Sequence, residues 1–556
     1  MNILNTQDSS FTQPISTIGG TSDNWNSNYT TTNTYSAYFA PPGQLIFETT
    51  GNLSPFAAGG LVEVTGLYAL NTRQEVCFYE YGSLSPQVIS LTGNLYRGNL
   101  NIGGQFYVPG PRDITVRNLH GLQGTVFFQS TVLSGAAIQN PFNGIEGPVK
   151  NLRFPDLKYC ENLAIGNCRG LTALEFPELE IVDSTYARTV GGYNSNLGIS
   201  FGGGLGSTFF VCPTELSVIE FPKLKYINTT SLGGIVIGGY YQSGPASSNF
   251  TTNLTDVRFP LLSTVVAISI GNAQNTNTLY YNLTSLNFNE LRRVTWGSIN
   301  LYRVGLSAVN FPNLIAFTGG GGNLPGNFIL SELRNLLEVN APRLEVVGGY
   351  GITATNCPNL TGIYLNNLKI FRSTGSITYS STRQLSALYL GENTLEYFQP
   401  GLGITCNQRL SQESVDSVLK AFARLDGSAG RSVFDTGETL SLAGENKTPS
   451  YTGGVTTSSA GTNFTRSGTT VTANVVGHGH SNGDIVTFTG NTTSALNGTY
   501  VVTVVTVDQF QYTTTTSGAA TGGGTVTMRK TTVATDGFRA YQTIALRGAT
   551  ITINFP

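Results

Sequence analysis

The phrase Leu-x-x-Leu-x-Phe-Pro-x-Leu recurs through the middle of the chain and leaves few architectures open. It reads Leu171, Leu174, Phe176, Pro177, Leu179 in one copy. It returns as Leu216, Ile219, Phe221, Pro222, Leu224, and again as Leu254, Val257, Phe259, Pro260, Leu262. Further copies start at Leu283, Leu306 and Leu336, with degenerate ones at Val149, Leu360 and Leu385. Spacings run from about 22 residues to about twice that, as expected for stacked coils joined by loops of variable length. The end of each phrase alternates apolar and polar residues, the period of a strand with one buried face. Proline donates nothing to a ladder, so each Phe-Pro ends that strand and turns the chain. A second apolar run follows, as in 233–240, 265–272 and 297–304, which predicts two short strands per coil and parallel sheets.

Composition agrees with a turn-rich β rod. Only 11% of the 556 residues are charged, against about 25% in an average soluble protein, and 67 glycines with many Thr, Asn and Ser fill the difference. A net charge of −2 provides neither a footprint for nucleic acid nor a polybasic membrane patch. No apolar run is long enough to span a bilayer. The opening MNILNTQDSSFTQP has no basic region followed by an apolar one, so no secretory signal is read there and assembly in a host cytoplasm is expected.

Texture divides the chain. Residues 1–43 form a polar arm suited to docking on a neighbour. Short alternating runs over 44–144 predict a β-sandwich-like module. The leucine-rich β-solenoid occupies 145–410. A solenoid end exposes raw core and needs a cap, and 411–454 supplies half of one. There Ser411 precedes a helix whose Val415, Val418, Leu419, Phe422 and Leu425 share one face, with Gly427 as the stop. The other half, 531–556, predicts a helix over 535–546, a stop at Gly548 and a last strand. Between them, 455–530 is Thr- and Val-rich with hairpin signals at Asn482-Gly483 and Asn497-Gly498, a small β-domain inserted into the cap.

Three resemblances follow from these residues. The solenoid phrase, clearest over 340–368, resembles the leucine-rich β-solenoid of receptor L-domains. The insert resembles a small β-domain common in structural proteins of tailed bacteriophages, on Gly477, His478, Gly479, Gly483, Asp484, Leu496, Asn497, Gly498, Thr499 and Tyr500. The split cap is similar to the end of repeat proteins encoded beside phage tail genes, with Ala549 where those have Trp. The resemblances of the insert and the cap imply a virion component: a tail fibre or appendage that attaches to a host-surface glycan or protein. It would be a homo-oligomer, a trimer in the simplest case, docked to other virion proteins through its arm. The alternatives are a capsid-decorating or head-fibre protein and, in another class, a glycan-degrading tailspike.

Candidate chemistry is sparse. His120 stands alone, and three histidines in all leave no Ser-His-Asp arrangement. His478 and His480 with Asp484 have metal-ligand spacing, but the turn pattern accounts for His478 without a metal. Neither metal nor cofactor is expected. Gly202–Gly204, Gly319–Gly322 and Gly522–Gly524 lack the Lys-Ser/Thr of a phosphate loop and read as turns. Glu175, Glu220 and Asp256 could form the carboxylate pair of a glycosidase. However, Arg153, Arg258, Asn287, Asn310 and Asn340 occupy the equivalent position elsewhere, so a mixed polar strand face is expected instead, and no catalytic residues. Cys77, Cys160, Cys168, Cys212, Cys357 and Cys406 form no C-x-x-C pair and read as buried thiols. Asn253, Asn282 and Asn359 head sequons but are read as turn residues. Contact with a receptor is assigned to Tyr193, Tyr240, Tyr241, Tyr280, Tyr281, Tyr302 and Tyr350, in or beside the second strand, because tyrosine pairs a flat apolar face with a polar tip.

Overall fold

A computed structural model of the chain describes strands at 36–40, 44–48, 61–65, 74–79, 87–92, 96–105 and 113–117, then 119–131 and 150–556. Omitted within the last span are 167–169, 185–188, 191–192, 195–197, 202–214, 230–233, 239–249, 272–277, 296, 319–327, 350, 373–376, 381, 400–402, 452–455, 460–462 and 532–535. The protein is mainly β with few helices, and its parallel sheets are compatible with a β-solenoid. The chain packs as two units, Met1–Leu336 with Ala354–Cys357 and Leu337–Thr353 with Pro358–Pro556.

In the first unit each repeat phrase becomes a three-residue strand, and these strands pair in parallel with their equivalents in separate short ladders. Ala173–Glu175 pairs with Asn151–Arg153, and Val218–Glu220, Asp256–Arg258 and Ser285–Asn287 form one ladder. The Phe-Pro-x-Leu step is a β-turn. The Leu N–H donates back to the Phe carbonyl at Leu179, Leu224, Leu262 and Leu314, over 3.2–3.4 Å. Proline occupies the turn's second position, where its fixed φ is already right. At Phe288 no proline follows, yet the Leu291 N–H still donates to the Phe288 carbonyl at 3.1 Å, and the Asn289 N–H, which a proline would lack, donates to the Asn287 side-chain oxygen at 3.2 Å. Asparagines bridge the coils, as when Asn282 Nδ2 donates to the Thr252 carbonyl at 2.9 Å.

The second sheet departs from the expectation of two strands per coil. One unbroken strand, Tyr159–Gly166, pairs through its start with Ile181–Ser184 and through its end with Gly198–Phe201. Later coils keep these two segments separate, Tyr226–Thr229 and Gly234–Ile237 in one, Thr264–Val265 and Ile268–Ile270 in the next. The break falls where loops of different length leave the coil, so each coil contributes three short strands. Inside lies a phenylalanine ladder. Phe154, Phe176, Phe221, Phe259 and Phe288 are at most 1% exposed, with neighbouring ring centroids 4.8–5.5 Å apart.

A column of left-handed residues forms one corner of this unit. Gly238, Gly271, Arg303, Glu332 and Asn356 follow the second-sheet strands of successive coils, with φ of 118°, 80°, 53°, 57° and 56°. Glycine takes this conformation without cost, whereas other L-residues pay for it. Asn356 is exposed, so Asn356→Gly removes the strain and little else. It is expected to raise stability by about 0.5 kcal/mol, read as an increase in the denaturation midpoint.

Over 44–144 only strands are described, apart from the short link before Gly121–Thr131, and most of their side chains are outside the description. Gln44–Glu48, Gln74–Tyr79, Tyr96–Gln105 and Gly121–Thr131 pair in parallel. So do Leu61–Thr65, Gln87–Thr92, Asp113–Arg117 and Asn151–Arg153. The residues that would join them into the expected sandwich lie outside the described ones. Within 1–43 only Ser36–Ala40 is described, paired antiparallel with Gln44–Glu48.

The second unit repeats the parallel pattern with Glu338–Asn340, Gly362–Tyr364 and Ala387–Tyr389, where Ala341, Leu365 and Leu390 replace the ladder phenylalanine. It then carries helix α1, Gln412–Ala423. Ser411 caps it by accepting the Ser414 N–H at 3.2 Å, and Val415, Val418, Leu419 and Phe422 are buried. Helix α2, Gly537–Leu546, is capped by Asp536, whose side chain accepts the Arg539 N–H at 2.6 Å. The two helices pack together, and the Arg547 guanidinium donates to the carbonyls of Ala423 and Leu425 at 2.5 and 2.6 Å. A cation there satisfies orphan carbonyls at the negative end of α1. The chain ends in Thr550–Ile553, parallel to Thr439–Leu442.

Between the helices the inserted segment forms two antiparallel sheets. One orders Thr456–Ser459, Val526–Lys530, Ile485–Thr489 and Gly498–Val501. The other orders Thr503–Thr506, Gln509–Thr513, Thr470–Asn474, Asn463–Ser467 and Ala520–Gly522. Phe464, Phe488, Phe510, Tyr512, Leu496 and Met528 fill the space between them.

Candidate functional site

Of the seven tyrosines expected to meet a receptor, Tyr280 must be withdrawn. It is 0% exposed, and its backbone N–H donates to the Arg303 carbonyl at 3.1 Å. Its ring is a core element beneath the left-handed corner, where a side chain at Gly238 would crowd its hydroxyl. Tyr193 sits in the two-residue strand Tyr193–Asn194, paired antiparallel with Thr189–Val190, and its side chain is outside the described set. Tyr240, Tyr241 and Tyr350 lie outside the described residues.

Tyr281 and Tyr302 are half-buried and come to the same corner. The Arg334 guanidinium lies 5.6 Å from the Tyr281 ring centroid, within cation–π range. Arg303 and Glu332 form a two-pronged ion pair, Nε to Oε2 at 2.9 Å and Nη2 to Oε1 at 2.8 Å. The hydrogen-bonded Arg303 holds the Glu332 carboxyl below its ordinary range. Burial raises the Tyr302 phenol. The corner thus holds two engaged pairs, Arg334 with Tyr281 and Arg303 with Glu332, and one net positive charge.

A more open aromatic surface lies on the second sheet, on residues the sequence did not single out. Tyr226 is 50% exposed and Ile181, its partner in the ladder, 38%. Tyr159 extends the row one coil further. Two residues along, Asp183 and Asn228 are paired in register, and Asn228 Nδ2 donates to Asp183 Oδ1 at 3.2 Å. The Tyr159 hydroxyl donates to the Asp183 carbonyl at 3.3 Å, and partial burial raises the Asp183 carboxyl. An apolar row beside a polar row, at the strand spacing of about 4.8 Å, is a face on which a ring can stack while its substituents find hydrogen bonds. Tyr226 was missed because it falls between the repeat phrase and the second apolar run, where no strand was expected. An outward residue in a strand of period two was the available signal.

The carboxylates weighed as a glycosidase pair face guanidinium groups. Glu175 Oε1 is 2.9 Å from Arg153 Nε, Glu220 is 3.7 Å from Arg258, and Arg258 is 3.4 Å from Asp256. Ser285, donating a hydrogen bond, is the main cause that lowers the Asp256 carboxyl. Each carboxylate thus has its cation on the same strand face, the mixed ladder the sequence implied. Cys160, Cys357 and Cys406 are free and buried, and burial pushes their thiols up, away from the reactive thiolate. Cys77 is described by its backbone alone, and Cys168 and Cys212 lie outside the described residues.

In the insert, His478 and His480 are 1% and 6% exposed. His478 is used up structurally: Nδ1 accepts the His480 N–H and Nε2 lies against the Thr506 carbonyl, both at 3.0 Å. Asp484 is paired with Lys530 at 2.6 Å. Among the described residues no group of three or more His, Cys, Asp or Glu is placed to hold a metal ion, and no helix is long and apolar enough to cross a membrane. Comparison with protein-family models, with curated proteins and with solved structures finds no match for this chain.

Proposed function

We propose that this chain is the shaft and adhesive part of a bacteriophage virion appendage, a tail fibre in the first instance, that attaches to a glycan on the host surface. In this reading the parallel ladders are a leucine-rich β-solenoid over 145–410, closed by a two-helix cap that bears the inserted module, and the arm 1–43 docks to other virion proteins. The observation that carries it is the row of exposed Ile181 and Tyr226, continued by half-buried Tyr159, beside Asp183 and Asn228 on paired strands. Aromatic platforms with adjacent polar groups suit sugars, and large exposed aromatics dominate binding energy where they are used. The insert's residue pattern supports the virion context.

The test is binding of the purified chain to host cells and to their extracted surface polysaccharide. Tyr226→Ala is expected to weaken binding by about tenfold or more while leaving the thermal midpoint unchanged. Unaltered binding would remove this face from the proposal. Release of reducing ends from the polysaccharide, lost in Glu175→Gln or Glu220→Gln, would replace it with the tailspike reading. Immunolabelling on the capsid would make it a head fibre.

A further inference from the structure

The turn between Gly477 and Asp484 encloses an imidazole that no described residue satisfies. His478 and His480 stack with centroids 5.3 Å apart, and both meet the Phe510 ring edge-on at 5.1 and 5.4 Å. His478 has partners for both ring nitrogens. His480, 6% exposed, has none for either ring nitrogen among the described residues. Water would satisfy both nitrogens, so the closed turn holds this ring in place only while the ring is neutral.

The charged groups around the pair are already committed. Asp484, on the same turn, accepts from Lys530 Nζ and from the Ser481 N–H, each at 2.6 Å. Lys530, on the strand Val526–Lys530, faces His480 as a like charge. Asp508, on the turn beside His478, accepts the Gly477 N–H at 2.8 Å. A proton on His480 would therefore be buried against one aromatic ring, one imidazole and one ammonium, with a single carboxylate to attract it.

We propose that His480 is an acid-sensitive latch: while neutral it holds the 477–484 turn against the Gln509–Thr513 strand, and its protonation releases that turn. Burial first, then His478, pushes the His480 imidazole down from its ordinary 6.5 to about 4. The open turn, with His480 in water, binds the proton more tightly than the closed one. Closure is thus at full strength above about pH 6.5 and weakens as pH falls towards 4. The amides freed include Gly483, bonded to the Val502 carbonyl at 2.9 Å, and Val504, bonded to Asn482 Oδ1 at 2.6 Å. The latch does not depend on what the chain adheres to.

Hydrogen–deuterium exchange on the full chain tests it, comparing pH 7.5 with pH 5.0 after correction for intrinsic rates. The opening constant of the 477–484 and 500–506 segments is expected to rise about 30-fold at pH 5.0, and this rise is expected to vanish in His480→Phe. An equal rise in His480→Phe would overturn the latch. Should that variant fail to fold, the ring protons of the wild-type His480 decide by NMR: titration near 4 supports the latch, and titration above 6 refutes it.

Discussion

Phe259→Ala is expected to destabilise the repeat region by about 3–5 kcal/mol, seen as a lower denaturant midpoint of the first unfolding step. The ring is 0% exposed and lies between Phe221 and Phe288, with centroids at 5.2 and 5.3 Å and planes within 13° and 4° of parallel. Truncation removes the transfer energy of the ring and leaves a cavity. The cavity cannot close readily, because the strand Asp256–Arg258 is paired on both edges with Val218–Glu220 and Ser285–Asn287. The backbone spacing is set by hydrogen bonds rather than by the side chains. Phe259→Leu, which refills most of the volume, should cost about 1–2 kcal/mol. A cost below about 1 kcal/mol for the alanine variant would mean that neighbouring coils collapse into the gap, and the picture of a rigid stacked ladder would fail.

Gln542→Leu is expected to cost the second unit about 2–4 kcal/mol and to loosen the inserted module from the cap. Gln542 is 0% exposed on α2. Its amide nitrogen lies 3.1 Å from the Ile485 and Arg529 carbonyls and 3.3 Å from the Thr487 hydroxyl, and its oxygen accepts from the Thr531 hydroxyl at 2.7 Å. One side chain of the cap thus joins two strands of the module and the segment that leaves it. Leucine preserves the volume and removes every partner, leaving buried polar groups unpaired. Limited proteolysis should then cut at the two junctions, 451–456 and 531–536, well before it cuts wild type. Unchanged protease resistance would assign the attachment to the flanking contacts, such as the Tyr451 hydroxyl donating to the Lys530 carbonyl at 2.9 Å.

The repeat region was legible because its core is one-dimensional. Leu-x-x-Leu-x-Phe-Pro-x-Leu specifies strand, buried ring and turn within nine residues, and each coil meets only its neighbours. The two cap helices were legible from Ser411 and from apolar spacing, although α1 ends at Ala423, ahead of Gly427, with Arg547 at its C-terminal carbonyls. That partner is 124 residues away, a separation at which local pattern carries no information. The binding surface was less legible. Tyrosine content pointed to the second strand, but whether a ring points inward or outward depends on register. Tyr280 turned into the core, while Tyr226, in a segment for which no strand was expected, is 50% exposed.

By itself the sequence determined a mainly β chain, the place of its turns, its two helices and the β-segment between them, all of which follow from residue type and spacing along a few neighbouring positions. The tertiary structure decided which side chains on successive coils share a face, which carboxylate meets which cation, and which histidine ring meets no partner among the described residues. The first two outcomes are set by contacts between residues 22 to 45 positions apart. Loop lengths between coils vary, so no fixed spacing in the chain announces them.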